Sequence, residues 1–449
     1  MTVVLQVFLI SLIAGPAQAL RLWDAAATAR LEARLQAMRE AGEPTTMADL
    51  HRLYPDPPAG ENAAPLFRAA FRKMEAIEGE NPGRDLPILG DADLPPVDAD
   101  VPPQMLRAIE AYLDRHGEAL ELLHQAAAKK GCKFDLQFED GAAMLLPHLA
   151  QMRQGARLLA LEALVRTERG KPDDAAESLI AGLRIGHAVR QEPVLITALV
   201  RVACDIYAVR QAQRWVCRTT PSPKALARVQ AALAAEGDPD LLRPVLLAER
   251  CFGMDIYRDC VLNPKKGNLA ELVGQGGPPA MLIPAVPRAY FKMDMVHYID
   301  LMTEYTEALR RPYPERLQVA ARVGARMDER IPKHYVVCRM ILPALSRAFT
   351  VGQEHMARMD SARLALAALR YRAQHARLPK TLDALVPDFV EAVPPDPFTA
   401  KPLRYRKDKT GFVVYALGEN GRDDAGDVEA DEGKPPDIGF RFRQPKADF

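Results

Sequence analysis

Apolar side chains recur at three- and four-residue intervals along most of the 449-residue chain, and an every-other-residue pattern marks its C-terminal part. The first spacing lines one face of a helix, the second one face of a strand. Leu31, Leu35 and Met38 share a helical face, Pro55-Asp56-Pro57-Pro58 breaks the chain, and a second helix is expected over Asn62 to Met74. Residues 79–103 are rich in Pro, Gly and Asp, with Pro95-Pro96 and Pro102-Pro103, and read as a linker or a laid-down arm. Helix resumes near Met105 and dominates to Trp215. Within it Leu158, Leu161 and Val165 line one face, Arg169-Gly170-Lys171-Pro172 turns the chain, and Asp173-Asp174 open a helix carrying Leu179, Ile180 and Leu183. Acids at that start suit the helix dipole.

This helix pair resembles one tetratricopeptide-like hairpin. A generic bundle accounts for it equally, because no period repeats and stacked repeats need about three units. Either arrangement offers a helical groove to a protein or peptide partner. Further helices are expected from Pro223 to Ala235, from Asp240 through Arg250 to Leu262, from Tyr290 to Arg310, and from Pro343 onward. Asn263 to Pro287 reads as a loop. Its Gly274, Gly276 and Gly277 precede a Pro pair and no Lys-Ser/Thr, so it is no phosphate cradle.

The last of these helices continues to about His375, with Met356, Met359, Ala362, Leu366, Leu369 and Ala373 on one face. Leu378-Pro379 stops it. Thr381-Leu382-Asp383-Ala384-Leu385-Val386-Pro387 and Val393-Pro394-Pro395-Asp396-Pro397-Phe398 follow. Then Leu403 and Tyr405 alternate with Arg404 and Arg406, Lys407 to Gly411 turn the chain, and Phe412-Val413-Val414-Tyr415 returns. Between Glu419 and Asp437 lie eight acids (Glu419, Asp423, Asp424, Asp427, Glu429, Asp431, Glu432, Asp437) against two bases, Arg422 and Lys434. A loop of carboxylates, an amide and glycine-freed carbonyls suits a hard, oxygen-loving cation such as Ca2+, although a solvated acidic loop has the same composition.

This order of parts closely resembles the C-terminal domain of the major pseudopilin of type II secretion systems. It covers about ninety residues, with the helix ending in Leu-Pro, the Pro-x-Asp-Pro-aromatic turn, the Tyr-containing hairpin, the acidic Gly loop and a closing Asp-Ile. The resemblance implies one Ca2+ held by the carbonyl of Leu417 and its neighbours and by side chains of Asn420, Asp423, Asp424 and Asp427, with Asp437 matching the closing acid. Two departures are visible: the usual Gly-Gly reads Ala425-Gly426, and the span from Asp427 to Pro436 is longer than the family's. The family's apolar N-terminal filament helix, with its basic leader and Phe-Thr-Leu-Ile-Glu-like start, does not precede the domain; residues 1–355 of other sequence do. The chain is therefore not expected to assemble as an ordinary pilin.

At the start, the apolar run Val3 to Ala14 followed by Ala17-Gln18-Ala19 reads as a secretory signal peptide over residues 1–19, cleaved or kept as an anchor, although Lys and Arg are missing near Met1. No later stretch has the roughly 18 apolar residues that would span a membrane. The expected organisation is thus 1–19 signal peptide, 20–78 helical segment, 79–103 linker, 104–350 helical domain and 351–449 calcium-binding domain. The fold class is mainly α, a helical bundle or short helical-repeat array, with a C-terminal α+β domain of one long helix and a small antiparallel sheet.

Composition narrows the chemistry. With 59 basic and 59 acidic residues the chain carries no net field for nucleic acid. Its six cysteines (Cys132, Cys204, Cys217, Cys251, Cys260, Cys338) form no Cys-x-x-Cys and no zinc spacing; in an exported chain they could pair, Cys251 with Cys260 first, or stay buried thiols. None of the five serines (Ser11, Ser178, Ser222, Ser346, Ser361) sits in Gly-x-Ser-x-Gly, which excludes a nucleophile-elbow hydrolase. The strongest catalytic candidate is the helix face of Asp294, His297, Asp300 and Glu304, spaced to bind a divalent metal or to pair a base with its orienter, and explained as well by a half-wet surface. Glu354-His355 is a similar pair, and His187 reads as a core or interface histidine. The function this leaves is an exported, non-enzymatic binding or scaffold protein of the cell envelope, in association with a secretion or pilus-like apparatus. The alternative is a metal-assisted hydrolase on the Asp294 to Glu304 face.

Overall fold

The computed structural model describes residues 16–77, 83–236, 242–258, 287–311, 315–325, 335–341, 343–429 and 435–445. Thirteen helices and one three-stranded antiparallel sheet are found among them. In chain order the helices are α1 (Pro16–Glu40), α2 (Ala64–Ile77), α3 (Pro103–Arg115), α4 (Gly117–Ala127), α5 (Pro147–Glu168), α6 (Pro172–Ala188), α7 (Leu195–Arg218), α8 (Pro223–Glu236), α9 (Leu242–Ile256), α10 (Arg288–Ala308), α11 (Glu315–Ala325), α12 (Val336–Ile341) and α13 (Pro343–His375). The strands β1 (Arg404–Lys407), β2 (Gly411–Leu417) and β3 (Asp437–Arg443) follow. Residues 1–15, which hold most of the expected signal peptide, lie outside the described residues. Among those described, no helix is long and apolar enough to cross a membrane.

Local rules account for the punctuation. Gly170 ends α5 in the left-handed region, at φ +67°. There the Lys171 N–H bonds the Arg166 carbonyl at 2.8 Å and the Gly170 N–H bonds Thr167 at 3.0 Å, the paired closure that satisfies the last carbonyls of a helix. Pro172 then supplies the first residue of α6, where a missing N–H does no harm, and Asp173 and Asp174 sit in its first turn.

Two hydrophobic clusters organise the helices. The first gathers Leu31, Leu35 and Met38 of α1 with Ile299 and Met302 of α10, together with Phe67 of α2 and Leu158 of α5. The second joins Leu179 of α6, Trp215 of α7 and Val229 of α8 to α13 and the sheet. Here the helical pattern read from sequence needs correcting. Met359, Ala362, Leu366 and Leu369 are buried as expected, but Leu364, Ala365, Ala367 and Ala368 are buried too, while Ala373 is exposed. From Leu364 to Leu369 the helix is enclosed on all sides, because α7 and α8 cover one flank and β2 and β3 the other. The boundary expected at residues 350 and 351 falls inside this one helix.

In the sheet Phe412 pairs with Phe442 and Val414 with Phe440, and these four side chains face α13. Val413, Tyr415 and Leu417 point the other way and are covered by Val428 of the acidic loop, so β2 is buried on both faces. Residues 83–102 are fastened to α7: the buried Arg214 donates to the carbonyls of Pro95 at 2.5 Å, Ala99 at 3.1 Å and Pro96 at 3.2 Å, and reaches Glu168 at 3.2 Å. Cys132, Cys204, Cys217, Cys251 and Cys338 are buried free thiols; Cys260 lies outside the described residues. Burial pushes the Cys217 thiol up to about 11 and that of Cys251 up to about 12, away from nucleophilic use.

Candidate functional site

The acidic loop leaves the sheet at Leu417 and re-enters it at the paired Asp437. Its mouth is too narrow for a side chain at Gly418, where a Cβ would lie 2.1 Å from the Pro436 carbonyl oxygen. The floor of the mouth is Asp396, from the Pro-x-Asp-Pro turn. This fully buried carboxylate accepts from the N–H of Phe398 at 2.8 Å, the N–H of Leu417 at 3.1 Å and Arg404 Nη1 at 3.1 Å. A buried carboxylate needs such partners. Sequence reading took Asp396 only as a turn residue, although an acid flanked by prolines whose neighbours must be buried was its visible signal.

The predicted ligands are placed unevenly. Asp423 is engaged: it accepts from the Tyr415 hydroxyl at 2.9 Å, the Ala425 N–H at 3.0 Å and Arg404 Nε at 3.2 Å. Burial alone would raise its carboxyl, but the Tyr415 hydroxyl, the Ala425 N–H and Arg404 together hold it below the usual range. Asn420 donates to Asp424 at 2.8 Å and caps the N–H of Arg422 at 2.9 Å. Asp427 is exposed, and its carbonyl accepts the Asp437 N–H at 3.1 Å. Ala425 takes a left-handed conformation, φ +61°, directly before Gly426 at φ +78°, and so carries strain of about 1 kcal/mol.

Asp437 differs from the rest. Its carboxylate is fully buried, Oδ2 accepts the Gly426 N–H at 2.9 Å, and Oδ1 is buried with no hydrogen-bond partner. Burial raises its carboxyl, and the negative charges of Asp424 and Asp423 raise it further. The N–H groups of Gly426 and Asp424 offset these effects in part, and Arg404 offsets the charge of Asp423. Among the described residues no group of three or more His, Cys, Asp or Glu is already disposed to hold a metal ion, and residues 430–434 of the loop lie outside the description. Arginines meanwhile clasp the loop: Arg406 reaches the Ala425 carbonyl at 3.1 Å, Arg441 that of Gly426 at 2.6 Å, and Arg443 reaches Glu429.

The Asp294 to Glu304 face does not converge. Asp294 turns into the core, accepting the N–H groups of Val337 at 3.2 Å and Cys338 at 3.3 Å. Asp300 forks Arg34 of α1 at 2.6 and 3.3 Å, and His297 packs its ring 4.9 Å from that of Tyr335. Glu304 is half-buried. Of the other histidines, His355 is buried with Nε2 2.7 Å from Asp205, and His187 is half-buried beside Arg190.

A buried polar knot went unnoticed in the sequence. Glu192 receives His148 Nε2 at 3.0 and 3.1 Å, the Tyr54 hydroxyl at 3.2 Å and Thr197 Oγ1 at 3.0 Å, and Tyr54 in turn accepts the Phe134 N–H at 2.9 Å. All its members are enclosed, so it fastens elements together. No protein-family model, curated protein or solved structure matches the chain.

Proposed function

We propose that the protein is an exported, non-enzymatic binding or scaffold protein of the cell envelope. Its helical body holds a protein or peptide partner, and its C-terminal unit is closed by one Ca2+ in the pseudopilin manner, in association with a secretion apparatus. The observation that supports the calcium part of this reading is Asp437 Oδ1, a buried carboxylate oxygen with no hydrogen-bond partner, close to the charges of Asp423 and Asp424 although backbone N–H groups hold the same carboxylate. It lies where the loop re-enters the sheet, the place at which the order of helix, proline-flanked turn, hairpin and third strand would put a cation.

The donors fit such an ion in charge and in this one oxygen, without forming a finished cage. Asp437, Asp424, Asp427, Asn420 and the Leu417 carbonyl would hold it, while Asp423 stays with Tyr415 and Arg404. A bound Ca2+ supplies positive charge and no reaction. By mass action it stabilises the folded chain by about 2.7 kcal/mol at a hundredfold excess over its dissociation constant.

The test is thermal unfolding of the full chain in EDTA, in millimolar Mg2+ and in millimolar Ca2+. A midpoint raised by Ca2+, and restored to the EDTA value by Asp437→Asn, is expected. Equal midpoints in all three would sink the calcium site and leave the arginine clasp as the means of closure. Export has its own check: N-terminal sequencing of the protein from the envelope fraction should begin at Leu20, and recovery of the whole chain in the cytosol alone would refute it.

A further inference from the structure

Away from the acidic loop, the ends of α4 and α6 and the outer face of α8 enclose a cleft of about 590 Å³. Its floor is small and apolar, formed by Ala63, Ala126, Ala127, Ile180 and Ala232. Its ionisable lining, the buried Cys132 thiol aside, is basic: Lys129, Lys130, Arg184, His187, Arg190 and Arg228, interspersed with Gln191 and further alanines, and among the described residues no Asp or Glu lines it. The volume is that of a site for a small organic molecule.

Part of this charge has an ordinary explanation. Lys129 and Lys130 follow the end of α4 and Arg190 the end of α6, where each helix terminus carries about half a negative charge. Glu177 forks Arg228, and Glu61 sits on the Lys130 N–H at 3.0 Å. Five full positive charges from the lysines and arginines meet about one negative charge from the two termini and two from these glutamates, which leaves about +2 over an apolar floor. Arg184 lies within α6 and Arg228 within α8, so the helix ends do not account for them.

We propose that this cleft binds a small organic dianion with a compact apolar body, a dicarboxylate or a phosphate monoester. The charge on the rim raises the local concentration of such an anion, and the alanine floor leaves room for its carbon skeleton. The two sources share the chemistry and differ in the head group.

The experiment is calorimetric titration of the full chain with glutarate, with phenyl phosphate and with sodium chloride at matched ionic strength, at 50 and at 500 mM salt. Saturable binding of at least one dianion is expected, weakened at least tenfold by the higher salt and by the double variant Arg184→Glu/Arg190→Glu. Both side chains are exposed, so the variant should fold, and Lys130→Glu is a second variant should it not. Response to glutarate alone assigns a dicarboxylate, and response to phenyl phosphate alone a phosphate monoester. Heats from both dianions no different from chloride would overturn the proposal. So would binding that survives the variants unchanged, or self-association of the chain that the variants abolish, since the occupant would then be the acidic loop of a second copy.

Discussion

Burial of Asp294 raises its carboxyl to about 6, despite the Tyr257 hydroxyl and the N–H groups of Cys338 and Val337 that hold its charged form. Between about pH 4 and pH 6 the folded chain therefore keeps a proton that the unfolded chain releases. The contribution of this residue to stability is full below that window, falls as pH rises through it, and is lost above it, by on the order of 3 kcal/mol. Asp294→Asn should flatten the dependence of the urea midpoint on pH over this range; an unchanged slope would show that the carboxyl titrates normally. Tyr54→Phe should cost about 1–3 kcal/mol, because it leaves the buried Phe134 N–H without an acceptor and removes one donor from Glu192. Loss of less than 0.5 kcal/mol in denaturant melts would mean that water or a shifted side chain takes its place. Such partners were not legible beforehand. Tyr54 and Glu192 are 138 positions apart, and periodicity tells which residues are buried but not which polar group each one meets.

Between elements, the sign of a substitution depends on the neighbour. Gly253 lies inside α9, where Ala would ordinarily stabilise a helix by about 0.5–1 kcal/mol. Here a Cβ would stand 2.1 Å from the hydroxyl oxygen of Tyr298, which is fully buried on α10 and donates to the Glu249 carbonyl at 2.8 Å. Overpacking wins, and Gly253→Ala should lose about 1–3 kcal/mol in urea melts; a gain would mean that the two helices slide apart freely. The strands were legible because Leu403, Tyr405 and the run Phe412 to Tyr415 are set off by a turn, and the register pairs the residues that alternation had put on one face. The enclosure of α13 was not legible. Ala365, Ala367 and Ala368 are small enough to read as a neutral outer face, yet smallness lets α7 and α8 lie close against them. The arm over residues 83–102 was half legible: its prolines mark extended chain, but its carbonyl bonds to Arg214 leave no trace in composition.

At the scale of the molecule, the second cluster makes the sheet and α6 to α8 one cooperative body around α13. Residues 351–449 made alone should therefore give no cooperative thermal transition by circular dichroism, whereas the full chain does. A sharp transition in the isolated segment would show that α13 needs only the sheet. The candidate site was legible as a segment of acids, while its working detail, one orphaned oxygen on Asp437 among arginine clasps, depends on burial that only the folded chain defines. The closing contact also sets a clock. Cys217 on α7 meets Arg441 on β3 across 224 positions. At translation rates of about 5–20 residues per second, the apolar flank of α7 waits roughly 10–45 s for the strands that help cover α13 to be synthesised. During that interval the nascent chain carries an unfinished core whose apolar surface stays open to aggregation.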